Sequence, residues 1–136
     1  MDRVSIVEKI PPVEEIEKSY KNPKVGAVVY FVGRPRDDNG ISALLYEVYD
    51  DMALKELQKI REEAFKRFPV KEVFIFHAKG EVKVGNPSFL VAVFSKHRRE
   101  AFDCCSWIVD EVKKRVPIWK REIYPDGSLG EWILGV

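Results

Sequence analysis

Only two cysteines and two histidines occur in the 136 residues, and each scarcity removes a class of chemistry. Cys104 and Cys105 are adjacent, a spacing that neither holds a metal as C-x-x-C does nor closes a long disulfide loop. Lying in a helical pattern, they read as two small buried thiols. No Walker-type loop, G-x-G-x-x-G turn, Ser-His-Asp order or cluster of ligating residues is present, so neither a bound metal nor a resident cofactor is expected. Charge of one sign is missing as well. Lys and Arg number 23 against 22 Asp and Glu, and a net charge of +1 gives no global field for nucleic acid or a membrane surface. No apolar run approaches the roughly 18 residues needed to span a bilayer, and Met1-Asp2-Arg3-Val4-Ser5 lacks the pattern of a secretory leader, so a cytoplasmic protein is expected.

What remains is an ordinary globular composition, 46% hydrophobic, of a length that fits a single domain spanning residues 1–136. Arg3 to Lys9 alternates apolar and polar residues and predicts a short strand, which Pro11-Pro12 ends. Val13 to Tyr20, acidic near its start, predicts a short helix. Val25 to Val32 is apolar on both alternating sets, the mark of a central strand covered on two sides. A polar loop from Arg34 to Gly40 leads to a strand from Ile41 to Tyr49. Asp50 or Asp51 is expected to cap a helix whose apolar positions Leu54, Leu57, Ile60, Ala64, Phe65 and Phe68 recur at helical spacing until Pro69.

Val70 to Ala78 and Phe89 to Ser95 predict two further strands, joined through Gly80, Gly85, Asn86 and Pro87. A second long helix runs from about His97 to Arg115, with Ala101, Cys105, Ile108, Val112 and Val116 on one apolar stripe. Ile118 to Tyr124 and Gly130 to Leu134 read as a hairpin around Pro125-Asp126-Gly127. The order predicts an α+β domain with helices packed on a largely antiparallel sheet and a hairpin at its end.

Four groups of cations fall at element ends on this near-neutral chain, a distribution that favours a local anion site and an enzyme. Lys113 lies at the border of the apolar stripe, where partial desolvation lowers a lysine's pKa, whereas Lys114 lies on the polar face. A lysine that merely covers apolar surface is the plainer account of Lys113. His97 and Arg98 open the second long helix, where backbone N–H groups and the dipole favour a phosphate; the imidazole alone would equally cap the helix. Arg34 and Arg36 suit bidentate recognition of phosphate or carboxylate, or form a solvated pair on a loop. Lys120 and Glu122 share a face if extended, and either pass a proton or form a surface ion pair. Trp107, on the polar face, packs either under a loop or against another subunit. His77, between Phe76 and Ala78, reads as structural.

Taken together, Gly26-Ala27 through Phe31-Val32-Gly33 to Arg36, Leu44 to Tyr49 with Met52-Ala53, Ser95-Lys96-His97-Arg98 with Ala101-Phe102, and Asp110 with Lys113 and Pro117-Ile118-Trp119-Lys120-Arg121-Glu122 resemble the large, catalytic subunit of molybdopterin synthase over nearly the whole chain. The resemblance implies an α/β hammerhead-type fold and a homodimer that binds a small ubiquitin-like sulfur-carrier subunit at each end, giving a heterotetramer. It implies a sulfurtransferase: the carrier's Gly-Gly thiocarboxylate delivers sulfur to cyclic pyranopterin monophosphate, forming the dithiolene of molybdopterin. By position, Lys113 and Lys120 are the implied catalytic groups beside the carrier carbonyl, Arg36, His97 and Arg98 the implied ligands of phosphate and pterin, and Arg121 and Glu122 part of the same wall.

Three departures from the family pattern stand out. The family often has His-Arg where this chain has His77-Ala78, so that arginine's contact is absent or supplied by Lys79. Pro35 alters the approach of Arg36, and the segment after Glu131 is brief. The competing reading is a non-catalytic dimeric module that binds a ubiquitin-like tail or a phosphorylated metabolite.

Overall fold

The computed structural model describes residues 1–136 and consists of two four-stranded sheets and three helices. In chain order the elements are β1 (Val4–Val7), α1 (Val13–Ser19), β2 (Ala27–Gly33), β3 (Ala43–Val48), α2 (Asp50–Arg67), β4 (Val70–Ala78), β5 (Gly80–Lys83), β6 (Phe89–Ser95), α3 (Arg98–Arg115), β7 (Ile118–Ile123) and β8 (Ile133–Leu134). One sheet has the order β1-β4-β6-β2 and the other β5-β3-β7-β8. Every pairing is antiparallel except β1 with β4. The expected α+β class holds, with the strands divided between two sheets.

The two long helices form where the spacing predicts them. α2 buries Ala53, Leu57, Ile60 and Ala64, and α3 buries Ala101, Cys104, Cys105, Ile108, Val109 and Val112. These stripes pack on the first sheet, α2 over β1 and β4 and α3 over β6 and β2, and the helices also touch each other. Arg115 at the end of α3 ties them together, with Glu56 at 2.9 Å and Glu63 at 2.7 Å, both on α2. β6, buried at every position, is the centre of the core. Both cysteines are buried, and burial raises their thiols to about 12 and about 11, so neither is a reactive thiolate. Trp107 packs against Phe68 at 6.0 Å and under the Arg67 guanidinium at 5.0 Å, at the end of α2.

Three expectations need correction. β2 is an edge strand rather than a central one, half-buried throughout. Its apolar residues on both faces answer aromatic rings of β6 on both faces, Phe31 against Phe89 at 5.4 Å and Tyr30 against Phe94 at 6.3 Å, not a second flanking strand. Neither Asp50 nor Asp51 caps α2: Tyr49 is the N-cap, with no side-chain cap bond, and Asp50 instead accepts from Lys79 at 2.8 Å. β5 was expected only as a connector; Gly80, at φ +86°, turns the chain from β4 in one sheet to β5 in the other. The expected hairpin after β7 forms, with Ile123 bridging Leu129 and β8 making two pairs, Trp119 with Leu134 and Lys120 with Ile133.

Candidate active site

Where the ends of β2 and β6 in the first sheet meet β3 and β7 of the second, a cleft of about 640 Å³ opens. Its walls bring together Arg34, Arg36, Lys113, Lys120, Arg121 and Glu122, all of the candidates singled out from the sequence except His97 and Arg98. Each arrives from a different local cause. Pro35 and the polar loop release the chain from β2 so that Arg36 hangs over the opening, largely exposed and paired with Asp38 at 3.1 Å. Lys113 comes from the last turn of α3. Lys120 and Glu122 come from β7, where period-two alternation sends both to one face, opposite Tyr46 and Leu44 of β3.

The electrostatics single out Lys120. Partial burial lowers its pKa below the ordinary lysine range, the charges of Lys113 and Arg36 lower it further, and Glu122 opposes them. The desolvation expected for Lys113 therefore falls on Lys120, while Lys113 itself is exposed. A helical wheel gives a side chain's direction but not the depth of the wall beside it. Lys120 Nζ donates to the Val136 carbonyl at 3.2 Å. Glu122 is held from two sides, by Asn39 Nδ2 at 3.3 Å and the Tyr124 hydroxyl at 3.4 Å, which ties the polar loop to β7. Arg121 donates to the Gly130 carbonyl at 2.9 Å and lies over the Trp132 ring.

His97 and Arg98 do not reach this cleft within one chain. His97 is the N-cap of α3 and Lys113 lies near the other end of the same helix, so a rise of 1.5 Å per residue separates them by about 24 Å. Both are exposed at the Ala27 end of β2, whereas the cleft sits at its Gly33 end. Lys79 lies outside this cleft, facing a separate hollow with Glu8, Glu47, Asp50 and Glu81.

Sequence reasoning passed over Tyr46, Ser88 and Phe89, which also line the cleft. Burial raises the Tyr46 phenol above its ordinary range, against the effect of the Ser88 hydroxyl beside it. Behind them lies His77, wholly buried, its Nδ1 donating to the Ala78 carbonyl at 2.7 Å and its Nε2 without a partner. Tyr46 stacks edge-on against that imidazole at 5.0 Å. A period-two reading of β3 would have placed Tyr46 with Leu44 on one face, but only the pairing with β7 makes that face a cleft wall.

Comparison with known proteins gives the lineage. A family model described as MoaE protein matches residues 6–115, which include β2 to β6 and all of α3. The chain belongs to the MoaE family. A molybdopterin synthase catalytic subunit from Pyrococcus abyssi is 47% identical over 138 aligned positions, covering 98% of this chain and 92% of that protein, so the likeness extends through β7. The crystal structure of molybdopterin synthase from Staphylococcus aureus superposes with a TM-score of 0.88 at 32% identity, over 98% of both chains. A protein–protein complex of subunits 1 and 2 of molybdopterin-converting factor from Helicobacter pylori shares the fold, with a TM-score of 0.79 at 23% identity over 98% of this chain and 90% of that one. The family resemblance drawn from the motifs and the α+β architecture are thereby borne out.

Proposed function

We propose that this MoaE-family chain is the catalytic subunit of a molybdopterin synthase, taking sulfur from the C-terminal thiocarboxylate of a small ubiquitin-like carrier ending in Gly-Gly and passing it to cyclic pyranopterin monophosphate. The observation that carries the reading is the meeting of Lys113, Lys120 and Arg36 in one cleft. Transfer from an acyl carbon builds negative charge on the carbonyl oxygen, and ammonium groups already in place stabilise it without reorganisation. Lys120, with its lowered pKa, is the group suited to exchange a proton during the reaction. Lys113 supplies positive charge beside it. Arg36 offers a guanidinium to the substrate phosphate, and Arg121 and Glu122 order the wall.

His97 and Arg98 take part as phosphate and pterin ligands if two copies join. An edge strand such as β2 pairs readily with its own copy, and antiparallel pairing about a two-fold axis sets the Ala27 end of one strand beside the Gly33 end of the other. Each copy then lends His97 and Arg98 toward its partner's cleft. With one carrier on each copy, the assembly is a heterotetramer.

Incubation with thiocarboxylated carrier and cyclic pyranopterin monophosphate, followed by an assay for dithiolene, tests the reaction. Formation by the native chain and its loss in Lys120→Ala are expected; carrier binding without turnover would instead mark a binding module. Mixing inactive Arg98→Ala and Lys120→Ala chains tests the dimer, since shared sites recover part of the activity.

A further inference from the structure

Two hydroxyls, of Tyr46 and Ser88, line the cleft beside its cations. Tyr46 meets it with its side chain, since the lining takes Leu44 and Tyr46 from one face of β3 and neither Leu45 nor Glu47 from the other. In antiparallel register the Cα partner of Tyr46 on β7 is Lys120, which places the two side chains on one face with Cβ atoms about 5 Å apart. Phenol and ammonium therefore serve one stretch of the cleft.

The phenol is held in place. Its ring lies edge-on to the His77 imidazole at 5.0 Å, and the residue is 5% exposed. Ser88, also buried, sits beside the hydroxyl and gives its own proton to the Gly33 carbonyl at 3.3 Å. Of the two hydroxyls, the phenol's proton is the one left for an incoming oxygen. Burial raises the phenol above its ordinary range, so it stays protonated across neutral pH. A neutral donor fixed in this way needs no reorganisation when charge builds beside it.

We propose that Tyr46 is a further catalytic residue of the sulfur transfer, its hydroxyl donating, beside the Lys120 ammonium, to the carbonyl oxygen of the carrier's terminal residue. The inference rests on the sulfur-transfer reading and assigns the donor to one step of it. Once sulfur has joined the pterin carbon while still bonded to the acyl carbon, water must release it. The water oxygen bonds to the acyl carbon, and the carbonyl π pair moves onto the oxygen that Tyr46 faces. That pair then returns, the acyl C–S bond breaks, and its electrons leave on sulfur. Lys120 gives a proton to the sulfur and regains one from the water; the water's other proton is lost as the carrier's tail becomes a carboxylate.

Single-turnover dithiolene formation, with thiocarboxylated carrier and cyclic pyranopterin monophosphate, compares the native chain, Tyr46→Phe and Tyr46→3-fluorotyrosine. Phenylalanine keeps the ring against His77 and removes only the hydroxyl, whereas the fluorinated ring keeps the shape and strengthens the donor. Tyr46→Phe is expected to be about 10²-fold slower at saturation. Half-saturation by the pterin substrate, calorimetric affinity for the carrier in its carboxylate form and the thermal unfolding midpoint are expected to stay near native values. The fluorinated chain is expected to match or exceed the native rate. A Tyr46→Phe rate within about twofold of native overturns the assignment and leaves the sulfur-transfer reading standing. So does a loss confined to half-saturation or carrier affinity, or a fluorinated chain slower than native, since each marks packing rather than donation. The fluorinated chain decides alone if Tyr46→Phe does not fold. A native chain that forms no dithiolene overturns both.

Discussion

Tyr46 of β3 stands directly opposite Lys120 of β7 in antiparallel register, so a buried phenol and a partly desolvated ammonium rise side by side from one face of the second sheet. The phenol lies edge-on against the His77 imidazole with Ser88 beside it, while the ammonium faces the cleft.

The first prediction concerns that ammonium. Lys120→Ala is expected to lower sulfur transfer by about 10²- to 10³-fold, the range seen when a positioned charge-stabilising donor is removed. Lys113→Met tests the coupling between the two lysines. Removing a positive neighbour favours the charged form of Lys120, so its pKa rises and the limb of the pH–rate profile that it controls moves to higher pH. A profile that stays in place in Lys113→Met would separate the two lysines.

His77 predicts how stability changes with acid. Burial lowers its pKa from 6.5 to about 4, with a further push from the Lys120 charge and an opposing one from the bond to Ala78. The unfolded chain takes up this proton below pH 6.5 and the folded chain only near pH 4. The stability contributed is thus fully present above pH 6.5 and is lost as pH falls toward 4. The loss is about 3 kcal/mol from this residue alone. Denaturant melts from pH 7 to 4 check it, and His77→Leu should flatten that part of the curve.

Gly26 marks a close approach of two backbones. A Cβ at this position would lie 2.5 Å from the Lys96 carbonyl oxygen, so Gly26→Ala must displace the corner that carries His97 and Arg98. A cost of about 1–3 kcal/mol is expected from urea unfolding. If His97 and Arg98 hold the substrate phosphate, KM for the pterin substrate rises as well.

Glu72 on β4 accepts from Arg3 Nε at 3.0 Å, from Arg61 and from the Val73 N–H at 3.0 Å. Burial raises its pKa, but these bonds together outweigh burial and hold the carboxyl below its usual range. Glu72→Ala leaves two guanidinium groups without their shared partner at the junction of β1, α2 and β4. A loss of about 1–3 kcal/mol in chemical denaturation is expected, with sulfur transfer unchanged below the melting temperature.

How far these features were legible depends on the range of the interaction behind them. α2 and α3 were readable because their stripes are local, repeating every three or four residues, and Pro69 and Pro117 close them. β5 escaped because Glu81 to Lys83 offers too short an alternation between Gly80 and Gly85. β2 misled because apolar residues on both faces look the same whether the neighbours are strands at its sides or aromatic rings above and below. The preference for Lys113 over Lys114 followed from helix geometry, but the greater burial of Lys120 depends on Tyr46, 74 positions earlier in the sequence. The separation of His97 from Lys113 was available: both lie in one continuous helix, and sixteen steps along it fix the distance.

Because Arg36 hangs from the first sheet and Lys120 stands on the second, the gap between guanidinium and amine is set by how the two sheets lean on their shared core. Repacking the core that the two sheets share is expected to change that gap and the fit for reactants of different span. Selectivity in this architecture can therefore be retuned from the hinge between layers, leaving every group that handles the reactants untouched.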